Sequence, residues 1–228
     1  MLAAIDRCRT QIASLADAAL ARARAAADLA ALLEGVESIV ARELRSSRPA
    51  ATPPPACGPG CRACCTVNVA TLAIEGVAAA SFLRARLEPA ASAATAAALG
   101  AFHDRVRWLE DRERVAHGHG CPLLDDAGRC AIHPVRPLAC RSVTSLDPED
   151  CRRALLRCAE DDDGALGTVR MDLLQNALYG EALATLAEAV ARRGLDARVR
   201  DVSGMTGLFL SEPAAVSAYL SGARLALE

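Results

Sequence analysis

The chain has 228 residues, a formal net charge of −2 and only 3% aromatic residues. That length fits one compact domain with additions, or two small ones, and the near-neutral, aromatic-poor composition excludes a basic nucleic-acid footprint or base stacking as the main activity. All 26 basic residues are arginine, which removes the lysine amine that Schiff-base chemistry and phosphate-binding P-loops require.

In chain order, residues 2–45 read as one long helix. Ile5, Cys8, Ile12, Leu15, Ala19, Ala26, Leu29, Leu33, Val36 and Val40 recur in steps of three and four, interrupted only at Arg22. Such a seam is that of a coiled coil or helical hairpin. A straight helix of this length would span about 65 Å, so the segment must break, fold back or pair with a partner. Ser46 to Pro55 is a stiff proline-rich linker. Thr71 is placed to cap a helix running to about Leu87 and stopped by Pro89. A second helix is expected from Ser92 or Thr95 to about Val115, ended by His117-Gly118-His119-Gly120.

From Cys121 to Ser145 there is no helical period, so an irregular loop region is expected. Asp147-Pro148-Glu149-Asp150 is a strong helix start, and Asp161-Asp162-Asp163-Gly164 its expected end. The three aspartates could also bind a cation, although an exposed loop is the blander reading. A further helix should run from about Val169 to Arg193, with Gly194 in a left-handed position. A short strand or extended link over Leu195–Val202 and a last helix after Ser211-Glu212-Pro213 complete the chain.

The chemistry concentrates in cysteine. There are ten, nine of them between 57 and 158, ordered C-x3-C-x2-C-C and then, after 55 residues, C-x8-C-x9-C-x10-C-x6-C. No apolar run is long enough for a membrane helix, and Asp6, Arg7 and Arg9 precede no leader-like apolar stretch. The expectation is a cytoplasmic, bacterial chain whose thiols stay reduced and serve as metal ligands. Thiolates are soft anionic donors suited to tetrahedral zinc or an iron–sulfur cluster. Cys64 and Cys65 are adjacent and their side chains should diverge, so they are expected to serve different metals or to bridge, with a vicinal disulfide the competing idea. Buried free cysteines are the bland alternative, disfavoured by four cysteines within nine residues beside Pro and Gly.

His117, His119 and His133 could complete a mixed site, while His103 is expected on a helix and not among the ligands. No G-x-S-x-G, H-E-x-x-H or paired-carboxylate pattern signals catalysis.

Cys57, Cys61, Cys64 and Cys65, then Cys121-Pro122-Leu123-Leu124, Cys130-Ala131-Ile132-His133 and Arg136-Pro137-Leu138-Ala139-Cys140-Arg141, resemble the YkgJ-like cysteine-cluster family, the zinc- or iron-chelating CxxCxxCC domain. The resemblance covers about residues 57–151. His133 stands where that family usually has tyrosine. It implies a bound metal on Cys57, Cys61, Cys64, Cys65, Cys121, Cys130, Cys140 and Cys151, and leaves out Cys8 and Cys158.

Eight thiolates carry eight negative charges, which cations must offset. Arg62, Arg129 and above all Arg136 and Arg141 are expected to face the sulfurs of such a cofactor. The resulting expectation is a mostly α protein with irregular cysteine-rich metal-binding loops and a long N-terminal helix. Residues 1–47 form that helix, 48–56 the linker, 57–160 the metal-binding domain, and 161–228 a C-terminal helical segment packing on it. Its function is expected to be metal binding through an iron–sulfur cluster or zinc. The alternatives are a cluster-dependent redox enzyme or electron carrier, a flagellin N-methylase-like protein, and an adaptor binding a protein partner or a second copy through residues 1–45. Nucleic acid and membrane are not expected partners.

Overall fold

The computed structural model describes residues 1–159 and 168–226. Asp161–Asp163, as a helix stop or as a cation site, lie outside the described residues, as does the side chain of Cys158.

The N-terminal segment folds back. Helix α1 (Leu2–Arg22) ends at the residue that interrupts the seam, and α2 (Ala26–Ser47) follows after a short extended break. Arg24 and Ala25 donate their backbone N–H groups to the Asp28 carboxylate, at 2.8 and 3.0 Å, satisfying the opening turn of α2. The apolar seam is buried within the chain: Cys8, Ile12, Leu29, Val36 and Val40 are fully covered. α1 packs on α2 and on α8 (Leu173–Arg192), and α2 also packs on α3 (Ala73–Arg84). Arg9–Glu181 and Arg192–Asp17 ion pairs fringe the α1–α8 contact. The end of α2 is tied to the start of α8 by an Arg48–Asp172 ion pair.

Pro89 stops nothing: it occupies the first turn of α4 (Pro89–Val106), where its missing N–H costs no hydrogen bond. A second break follows, and α5 (Asp111–Ala116) is a separate short helix. Thr71, expected to cap α3, lies instead in β1 (Ala70–Thr71), which pairs antiparallel with β2 (Arg200–Asp201). The capping is done by Glu75, whose carboxylate accepts the N–H of Leu72.

Helix α6 (Leu138–Ser142) is the one regular α segment described in the loop region. α7 (Pro148–Ala159) starts at the expected proline, and α8 is followed by Gly194 at φ +76°. Between β2 and α10 (Ala215–Leu220) runs α9 (Val202–Ser211), a helix carrying Gly204 and Gly207 that lies between the expected link over Leu195–Val202 and the expected last helix and that the sequence reading does not assign. These glycines are contact points rather than breaks. A Cβ at Gly204 would lie 2.6 Å from Nδ1 of His103, and one at Gly207 3.2 Å from Leu99 Cβ. On the facing helix, a Cβ at Gly76 would lie 2.4 Å from Met205 Cγ and 2.9 Å from its carbonyl oxygen.

One hydrophobic core runs through α1, α2, α3, α4, α8, α9 and α10 and takes in Leu123, Ile132 and Leu138 from the cysteine-bearing loops.

Candidate metal centre

The first knot is built from two turns. Cys61 N–H bonds the Gly58 carbonyl, with Gly60 at φ +84°, and a 3-10 turn over Ala63–Thr66 carries Cys64 and Cys65. Its anchors come from the second half of the chain. Cys121 N–H donates to the Cys65 carbonyl at 2.7 Å, and Ala56 N–H to the Ser145 carbonyl at 2.7 Å. Ser145 N–H in turn points at Cys57 Sγ, 3.2 Å away.

The Leu124–Cys130 bridge closes a tight loop around Asp125, whose carboxylate accepts the N–H groups of Ala127 and Arg129. Gly128 turns at φ +73°, and a Cβ there would lie 3.1 Å from the Gly60 carbonyl, so two glycines let the knot and this loop touch. α7, carrying Cys151, packs on the 3-10 turn. Cys140 rides on α6, whose first N–H, from Leu138, is accepted by Glu75 Oε1 at 2.7 Å. Glu75, only 2% exposed, thus fastens α6 to α3.

The eight matched cysteines share one electrostatic neighbourhood. Cys57 is influenced by Cys61, Cys64 and Cys151. Cys65 is influenced by Cys64, Cys121 and Cys140. Cys140 feels Cys121, Cys64 and Cys130, and Cys121 feels Cys130. All eight are free thiols. Cys8 is free too but buried in α1 among Glu43, Glu181 and Arg42, far from the cluster in character, with burial pushing it up to about 11. Among the described residues, no three His, Cys, Asp or Glu side chains are gathered closely enough to hold a metal ion as they stand.

Without a cation the site resists ionisation. Burial pushes Cys121 up to about 12 and raises Cys57, Cys130 and Cys140, neighbouring thiols adding to the rise at Cys57, Cys121 and Cys140. Cys64 is the exception. Its interaction with the neighbouring Cys65 draws it down, with Arg136 among the further causes, and the same interaction raises Cys65.

The arginines divide. The positive charge of Arg136 acts on Cys64, Cys130 and Cys140, lowering each, and its buried Nε has no hydrogen-bond partner among the described residues. Arg141 ion-pairs with Glu37 and donates to the carbonyls of Pro134 and Arg136, bracing α2 against the loop. Arg129 pairs with Asp125, and Arg62 is exposed. His119 lies edge-on to Phe102 with His117 beside it, 5.8 Å between their ring centroids, and His133 is exposed. His103 is a buried residue of α4.

Two supports escaped the sequence reading. Glu75 carried a signal, a lone acid inside the apolar run Leu72–Ala80. Arg114 carried none, since Asp111-Arg112-Glu113-Arg114 reads as solvated charge. Yet Arg114 is buried, paired with Asp201 at 3.0 Å, and acts on Cys121.

Residues 56–159 match the CxxCxxCC family, described as "Putative zinc- or iron-chelating domain". This stretch is similar to that domain. It spans a little under half of the chain, from the residue before Cys57 to the end of α7. The N-terminal hairpin and the helices after α7 lie outside the CxxCxxCC match. No curated protein and no solved structure matches the chain. No helix among the described residues is long and apolar enough to cross a membrane.

Proposed function

We propose that this is a metal-binding protein in which Cys57, Cys61, Cys64, Cys65, Cys121, Cys130, Cys140 and Cys151 are the ligands of an iron–sulfur cluster or zinc. The observation that carries the reading is that separate chain segments bearing eight free thiols are tied to one another, Cys121 to Cys65 through the backbone, Ser145 to Cys57 and α7 with Cys151 to the 3-10 turn, in a chain whose remaining described thiol, Cys8, stands apart in α1. The donor set fits: soft sulfur, no disulfide, and a shortage of positive charge that a bound cation would relieve. Turning a cysteine between its staggered rotamers re-aims the sulfur without moving the backbone.

The backbone bond from Cys121 to Cys65, and the packing of α7 on the 3-10 turn, support a division into Cys57, Cys61, Cys64 and Cys151 on one side and Cys65, Cys121, Cys130 and Cys140 on the other. Cys64 and Cys65 form the junction. Four sulfurs per side suit a tetrahedral zinc or a four-cysteine cluster. A bound cluster supplies electron transfer, and bound zinc supplies cross-linking of the loops. In either case Arg136 holds positive charge against the thiolates, and Arg141 positions the Cys140 loop on α2 through Glu37.

Anaerobic purification followed by elemental analysis and a visible spectrum tests the reading. A brown protein with iron and acid-labile sulfide selects the cluster, and a colourless one with two zinc ions selects zinc. A metal-free protein that folds normally would discard both.

A further inference from the structure

We infer, resting on the metal-binding reading, that the cysteines form two tiers of different lability: a core-anchored tier of Cys65, Cys121, Cys130 and Cys140 whose metal is bound up with folding, and a solvent-facing rim at Cys57 and Cys61 from which a thiophilic metal ion exchanges with outside ligands.

The two tiers differ in how the chain holds them. Three core-tier cysteines each have an anchor in the hydrophobic core two residues away: Leu123 for Cys121, Ile132 for Cys130 and Leu138 for Cys140, all buried. Cys121 and Cys130 pack against that core themselves. Cys65 is joined to Cys121 through the backbone, and the helix bearing Cys140 is pinned to α3 by buried Glu75. A metal joining these four would link segments that the core already fixes, so its release loosens the fold around it.

The rim has no such anchors. Residues 56–62 form an unbroken exposed stretch, with Cys57 and Cys61 exposed among them. A side chain at Gly58 would meet nothing within 4 Å. The stretch is held by three bonds with Ser145 (Ala56 N–H and the Cys57 thiol to its carbonyl, its N–H to Cys57 Sγ), by the Cys65 N–H on the Arg62 carbonyl and by the contact between Gly60 and Gly128. An incoming thiol or chelator can reach these two sulfurs from water and take over the metal one ligand at a time. At the core tier, Cys65, Cys121, Cys130 and Cys140 are all partly covered.

The test is metal release from the full chain loaded with Zn(II), challenged with an excess of a colorimetric chelator at neutral pH. The expected result is two phases well separated in rate. The fast phase should carry half of the zinc and leave the helical circular dichroism and melting temperature unchanged. A Cys57→Ser/Cys61→Ser variant should lose the fast phase and keep the slow one and the melting temperature. Cys140→Ser should lower the melting temperature. Should it fail to fold, the wild-type protein still decides: helicity must fall with the slow phase and not with the fast one. Release in a single phase, or a fast phase that survives in the rim variant, overturns the tiers while leaving the metal-binding reading standing. A wild-type chain that binds no zinc and no iron overturns both.

Discussion

Glu75 is the residue on which local sequence and site geometry meet. Both of its oxygens accept backbone N–H groups, from Leu72 at the start of α3 and from Leu138 at the start of α6. Burial pushes its pKa from the ordinary 4.5 up to about 7, against the pull of those two amides and of Arg141. The folded state therefore holds a proton that the unfolded chain releases between about pH 4.5 and 7. This group weakens the fold as pH rises through that window, by up to about 3 kcal/mol. In Glu75→Gln one acceptor becomes an NH2 facing a backbone N–H, an unsatisfied pair costing about 1–3 kcal/mol. The expected outcome is a variant clearly less stable than wild type at pH 5, with the gap narrowing or reversing by pH 8. Melting temperatures of both proteins across that range check it, and parallel curves would reject the assignment.

At the scale of elements, α9 shows how packing overrides local preference. Two glycines in ten residues argue against a helix, yet they let α9 sit close to α4, while Gly76 admits Met205 against α3. Gly76→Ala would drive a methyl group against the Met205 carbonyl, which cannot swing aside like a side-chain end. A loss of about 1–3 kcal/mol is expected despite the better helix propensity of alanine. Gly100, also helical, is the control: a Cβ there meets nothing within 4 Å. Gly100→Ala should be neutral or stabilise by up to about 1 kcal/mol. Chemical denaturation of the pair measures the contrast, and equal effects would show that the α3–α9 approach has slack.

For the whole molecule, the single core that joins hairpin, cysteine loops and C-terminal helices has a direct consequence. The seam of α1 and α2 is covered by α8 and α3, so a chain lacking residues 1–47 would expose the faces those helices now bury. Such a truncation is expected to aggregate or to bind hydrophobic dyes strongly, as read by size-exclusion chromatography and dye fluorescence. A monomeric truncated chain with an unchanged melt would show that the hairpin is separable from the cysteine-bearing region.

Much of this protein was legible residue by residue because its signals are local. The proline at the start of α7, the left-handed Gly194 and the heptad spacing of α1 and α2 depend on backbone geometry and periodicity within a turn or two. The cysteine spacing likewise marks the site without reference to the fold. Where the chain breaks at Ala23–Ala25, why Pro89 opens a helix, why α9 exists, and that buried Glu75 and Arg114 brace the cysteine loops were decided elsewhere. Each depends on a contact between segments far apart in sequence, such as Leu138 on Glu75 or Asp201 on Arg114. A close approach or a buried charge gains its meaning only from the atoms that end up opposite it.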